Sequence, residues 1–217
     1  MIYKIKEYKN KLIEKAYREG MKEFNKFFGI NLEYNKEPDI CILNSRKEID
    51  LLKRYKSERW VNAFVIGGKG NIVYILDNNR MEKESSHKKH SDNEYSALIK
   101  HEICHLFEHV VSKNCYKPLW LGDGLAVYLS GQLKFYNKIN TFSNFIESYD
   151  KYNKSTYTEG GNACMLLIEN FGKKKILRLI SRSSEVNNKN DFAKLFKKIY
   201  GFDLSYKNFN NLLNKNI

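Results

Sequence analysis

The segment His101-Glu102-Ile103-Cys104-His105 restricts this 217-residue chain more than any other stretch. Two histidines four residues apart stand one above the other only on a helix, where residues i and i+4 share a face. The flanks agree: Ser91 followed by Glu94 has the pattern of a capping box and opens a helix over 94–113. On that helix Ile99, Ile103, Leu106 and Val110 form an apolar stripe expected to face the core, which leaves His101 and His105 on the opposite side. Two imidazoles so placed can converge on one metal ion, and the glutamate beside the first can reach a water held there. Cys104 points away from both histidines and reads as a packed thiol. His109, one turn further on, offers a second pair with His105, but that pair has no adjacent glutamate.

A metal site with three protein ligands needs one more donor. A carboxylate at the start of the next helix can fold back against the first, and Asp123 in Trp120-Leu121-Gly122-Asp123-Gly124-Leu125-Ala126 is so placed. Asp123 also suits the N-cap of a helix over 123–130. Both roles stand at this point.

With the two histidines ahead of it, this segment resembles the Trp-Leu-x-Glu-Gly-x-Ala signature of the gluzincin metallopeptidases, the group that includes thermolysin and aminopeptidase N. A third stretch, Tyr157-Thr158-Glu159-Gly160-Gly161, resembles the Tyr-x-Lys-Gly-Ala of the aminopeptidase N-type enzymes, and Ile168-Glu169-Asn170-Phe171-Gly172 looks like the helical lobe of that group. The resemblance covers residues 60–215, with three motifs in order. It implies a zincin-like fold and one Zn2+ per chain, held by His101, His105 and Asp123. It further implies Glu102 as general base, Tyr157 as a hydrogen-bond donor to the tetrahedral intermediate, and a peptide or protein substrate. Tyr157 suits a packing role equally, and Tyr128 and Tyr152 are substitutes for it.

Two departures matter. Asp123 stands where the group has Glu and is one methylene shorter, so the helices must approach more closely or another donor must serve. The exopeptidase Gly-x-Met-Glu-Asn loop is missing, so nothing recognises a free amino terminus, and the implied activity is that of an endopeptidase. The competing reading is a catalytically degenerate zincin-fold binding protein with a basic surface.

Elsewhere, Ile5, Tyr8, Leu12, Ala16, Met21, Phe24 and Phe27 or Phe28 predict one helix or two over 3–28, closed by Gly29. A strand over 38–43, a helix over 46–55 and strands over 61–66 and 72–76 follow. Gly67-Gly68-Lys69-Gly70-Asn71 lacks the Gly-Lys-Ser/Thr ending of a phosphate loop and reads as a hairpin turn. The strand over 72–76 is the expected sheet edge, open to an extended peptide. Polar 78–93, with His87 and His90, is expected to be an exposed loop. Helices are expected over 94–113, 123–130, 141–150, 157–171, 173–183, 190–200 and 205–214. Strands first and helices after predict an α+β protein. The expected organisation is one domain over 1–217, with a small sheet lobe (1–93), a helical lobe (94–217) and the histidine helix between them.

The net charge of +13 raises the question of a polyanion partner. The basic residues are dispersed, however: Lys88-Lys89, 173–175 and 197–198 sit among acids and apolar residues, which argues against a nucleic-acid face. Hydrophobic content of 42% excludes a disordered chain. Four widely spaced cysteines (41, 104, 115, 164) contain no CxxC pair, so reduced thiols and a cytoplasmic location are expected. Residues 1–7 alternate charge and apolar side chains, unlike a signal peptide, and no run approaches the ~20 apolar residues that span a bilayer.

Overall fold

The computed structural model describes residues 8–32, 38–66 and 71–215. Helix α1 (Lys11–Phe28) starts where the Asn10 side chain accepts the N–H groups of Leu12 and Ile13, and ends at Gly29 with φ 70°. Ile5 and the expected start of this helix lie outside the described residues. Then come β1 (Asp39–Leu43), α2 (Arg46–Lys53), β2 (Ala63–Val65) and β3 (Ile72–Leu76).

The sheet order is β1-β3-β2, with β1 parallel and β2 antiparallel to β3. Strand 72–76 is therefore central, not the expected edge. Its near-continuous apolar sequence, Ile-Val-Tyr-Ile-Leu, suits a strand covered on both faces, and Val73, Ile75 and Leu76 are fully buried. β1 and β2 are the edges. Residues 67–70 of the expected turn lie outside the described residues.

Segment 78–93 is more structured than its polarity suggests. A 3-10 turn at Asn78–Arg80 leads into α3 (Met81–Glu84), and Met81 is fully buried. The Asn78 side chain exchanges two hydrogen bonds with the His90 backbone, at 2.8 and 2.9 Å. His87 is exposed as expected, but His90 is half-buried, and burial lowers its pKa.

The second half holds α4 (Asp92–Val111), α5 (Leu119–Leu129), α6 (Thr158–Phe171), α7 (Lys173–Arg182), α8 (Lys189–Tyr200) and α9 (Tyr206–Lys215). With the three-stranded sheet, this makes the described chain α+β. No helix among the described residues is long and apolar enough to cross a membrane. The helix expected over 141–150 shrinks to one 3-10 turn, Phe145–Glu147. The cause is Glu159 of α6, whose carboxylate accepts the N–H groups of Ser143, Asn144 and Phe145 at 2.9, 2.9 and 3.2 Å. Backbone donors so engaged hold the segment against α6 in a non-helical path.

One buried apolar cluster runs from Ile13 to Leu213. Phe24 and Phe28 of α1 pack on Phe107 of α4, with ring centroids 5.8 and 5.6 Å apart. Ile99, Ile103 and Leu106 face inward, but Val110, the last member of the expected stripe, is 53% exposed, and Phe107 takes the inward place instead. α5 and α6 meet backbone to backbone: a Cβ on Gly124 would overlap the Gly160 carbonyl, and one on Gly160 would lie 2.9 Å from the Trp120 carbonyl oxygen. Cys41, Cys104, Cys115 and Cys164 are free thiols.

Burial would raise the Glu159 carboxyl, but the N–H groups of Asn144, Ser143 and Phe145 outweigh it and hold the group below its ordinary range. The ionised form therefore stabilises the fold above the ordinary glutamate pKa, and this contribution fades as pH falls through the lowered value. Glu159→Gln should cost about 1–3 kcal/mol in denaturant unfolding at neutral pH, with the gap to wild type closing in acid. Identical unfolding curves at neutral pH would contradict the role given to this carboxylate.

Candidate metal centre

The register of α4 is set by its capping box: Ser91 Oγ accepts the Glu94 N–H at 3.3 Å, and Glu94 Oε2 accepts the Ser91 N–H at 2.8 Å. Three turns on, each histidine has its Nδ1 engaged. His101 Nδ1–H donates to Gln132 Oε1 at 2.8 Å, and His105 Nδ1–H donates to Glu108 Oε2 at 3.0 Å. A neutral imidazole has one N–H, so both Nε2 atoms are left as acceptors. They face each other at 3.1 Å, and Asp123 Oδ1 lies 3.6 Å from each.

Three acceptors thus converge with no donor between them, an arrangement that a cation at its centre would relieve. In the metal-free protein the pairing of His105 with Asp123 and Glu108 favours a proton there. Burial would lower the His105 pKa, but Asp123 and Glu108 outweigh it and raise the value well above the ordinary one. His101 and His105 together hold the Asp123 carboxyl below its ordinary range, against the opposing effect of burial. His101, His105 and Asp123 could equally hold a metal ion. Donors 2.0–2.2 Å from a tetrahedral zinc stand about 3.3–3.6 Å apart, close to the separations found here.

Asp123 does not cap its helix. Pro118 is the N-cap residue of α5, and the N–H groups of Leu119 and Trp120 donate to the carbonyls of Tyr149 and Ser148 at 3.0 and 3.1 Å. Asp123 therefore lies in the second turn. It reaches α4 because its neighbour is Gly122, where a Cβ would sit only 2.7 Å from Glu108 Oε1. Gly122 thus leaves room for the Glu108 carboxylate between the two helices. Asp123 Oδ2 faces the other way and accepts the Tyr152 hydroxyl at 3.2 Å.

Glu102 is buried, and none of the described residues donates a hydrogen bond to its carboxylate. Burial raises its pKa, opposed by the nearby His101 and His105. The Tyr157 ring lies 6.2 Å from the His101 ring and stacks on Tyr152 at 6.0 Å. Burial, followed by the Asp123 charge, raises the Tyr157 hydroxyl well above its ordinary pKa. Burial and Glu169 raise the Tyr128 hydroxyl, and among the described residues no contact ties it to these groups. Two of the three candidate tyrosines therefore reach the site.

His109 is buried against His105, with rings stacked at 6.0 Å, and burial lowers its pKa to about 4. His105, Glu108 and His109 form a second, overlapping group of metal-capable side chains. Cys104 is buried and its pKa is raised by desolvation, as a packed thiol requires. Sequence reasoning missed Glu108, Gln132 and Trp60, whose ring lies edge-on to Tyr152 and Tyr157 at 5.7 and 6.4 Å. Glu108 carried a signal, its i+3 spacing from His105. Gln132 and Trp60 carried none, because their contacts are tertiary. In comparisons with family models, curated proteins and solved structures, the chain matches none.

Losing a group that only orients a metal ligand typically weakens metal binding about 10–100-fold, so Asp123→Ala, which removes a donor, should weaken divalent-metal affinity by more than about 100-fold. Asp123→Asn should retain partial binding. Since the raised His105 pKa makes metal compete with a proton, affinity should fall about tenfold per unit as pH drops below it. Competition against a fluorescent zinc chelator measures both effects. Wild-type affinity in Asp123→Ala would leave Asp123 a purely structural role.

Proposed function

We propose that this chain is a zinc-dependent peptidase of the gluzincin type, on a zincin-like fold, acting as an endopeptidase on peptide or protein. One observation carries the reading: His101 Nε2, His105 Nε2 and Asp123 Oδ1 converge beside a buried glutamate that no described residue engages. Two imidazoles and one carboxylate at this spacing suit zinc better than calcium or magnesium, which take oxygen donors. Among the described residues no fourth His, Cys, Asp or Glu joins the three, which supports a catalytic donor set over a closed structural one. Zinc bound there would supply Lewis acidity toward a scissile carbonyl and acidify an attacking water.

The remaining work falls to side chains. Glu102 accepts the proton of the attacking water at its carboxylate and returns it to the leaving amine, and burial makes it a better base than an exposed glutamate. The Tyr152 hydroxyl is committed to Asp123, which leaves Tyr157 to donate to the developing oxyanion. β2 is an edge of the described sheet and packs against α4, the helix that carries His101 and His105, so it is the strand we assign to an extended substrate. This replaces the role expected of strand 72–76.

Glu102→Gln should retain one zinc per chain and lose peptide hydrolysis by about 10²–10⁴. His101→Ala should lose both. Zinc content by elemental analysis and turnover on a broad peptide library provide the readouts. Should zinc-loaded wild type cleave nothing and match Glu102→Gln, the degenerate binding protein becomes the better reading.

A further inference from the structure

Glu108 lies outside the five-residue metal motif, yet its side chain is only 9% exposed and sits between the two helices that build the donor set. A buried carboxylate is costly unless paired, and its one side-chain hydrogen-bond partner among the described residues is His105 Nδ1, at 3.0 Å. On its other side the carboxylate rests against the bare backbone of Gly122, one residue before Asp123. A Cβ there would meet Oε1 at 2.7 Å and Oε2 at 2.9 Å. One group therefore touches both halves of the site. On α4 it keeps the His105 proton on Nδ1, so that Nε2 faces His101 and Asp123 as an acceptor. On α5 it sets the distance at which the helix carrying Asp123 can stand.

We propose that Glu108 is a positioning residue of the metal centre, fixing the tautomer of His105 and, through Gly122, the approach of Asp123. This rests on the metal-binding reading of His101, His105 and Asp123. His101 is held differently, by the neutral Gln132 amide, so the two ligands are not equivalent: among the described residues only His105 has a charged partner on Nδ1. The contact with Gly122 has a consequence that an ordinary orienting carboxylate would lack. Adding a methyl at 122 should disturb the metal through Glu108, and removing the Glu108 side chain should make room for that methyl.

The test uses the full chain and zinc ion alone, with affinity read by chelator competition. Cobalt substitution reports ligand geometry by visible absorption, and histidine ¹⁵N NMR reports the tautomer of His105. Thermal unfolding of the metal-free proteins separates positioning from general loss of fold. Glu108→Ala should weaken zinc binding about 10–100-fold, change the cobalt spectrum and release His105 from a single Nδ1–H tautomer. Glu108→Gln, which keeps an acceptor of the same shape, should weaken binding less than Ala does and retain the tautomer. Gly122→Ala should weaken zinc binding on its own, and combining it with Glu108→Ala should cost less than the two losses together. Zinc affinity and cobalt spectrum unchanged in both Glu108 variants overturn the proposal while leaving the peptidase reading intact. Strict additivity of the Gly122 and Glu108 effects overturns the coupling through Gly122. Wild type that binds no zinc overturns both this inference and the reading beneath it.

Discussion

Three hydrogen-bond acceptors aimed at one point repel one another unless a cation lies between them, and the helical half of this protein is arranged so that three do. His101 and His105 have spent their single protons on Gln132 and Glu108, and Asp123 Oδ2 is held by Tyr152, which leaves Oδ1 for the centre. Every group that could have turned away is tied by its far side. A proton or metal ion at the centre would thus be part of the electrostatics that lets α4 and α5 lie together. Raised His105 and lowered Asp123 pKa values are two views of the same attraction.

The placement of Asp123 can be traced through several layers. Glu159, at the start of α6, gathers the N–H groups of 143–145. The chain that follows presents the carbonyls of Ser148 and Tyr149 to the first N–H groups of α5, and then carries Tyr152 onto Asp123. Gly124 and Gly160 let α5 and α6 touch at the backbone, and Gly122 lets α5 meet Glu108. The glycines and acids of the second and third motifs therefore act as one packing unit.

The parts legible in the sequence are those decided locally. The histidine helix announces itself by its capping box and periodicity, and α1 by its apolar spacing and Gly29. The start of α5 was misread because its first N–H groups are satisfied by backbone carbonyls from 148–149, a tertiary contact that leaves no cap residue to see. The helix expected over 141–150 failed for a related reason, since Glu159, distant in sequence, captures its donors. Strand 72–76 is central and not an edge because β1 pairs with it in parallel, a partnership that alternation alone cannot reveal. Of the groups around the site, Glu108 was readable from helix spacing, whereas Gln132 and Trp60 arrive from elsewhere in the chain.

The central claim is that two imidazoles and one carboxylate share a single zinc ion with a position left for water. X-ray absorption at the zinc edge of the metal-loaded protein tests this most directly. It should show a four-coordinate shell of nitrogen and oxygen at about 2.0–2.1 Å, with outer-shell scattering from two imidazoles. A sulfur shell near 2.3 Å, or scattering from any other number of imidazoles, would contradict it.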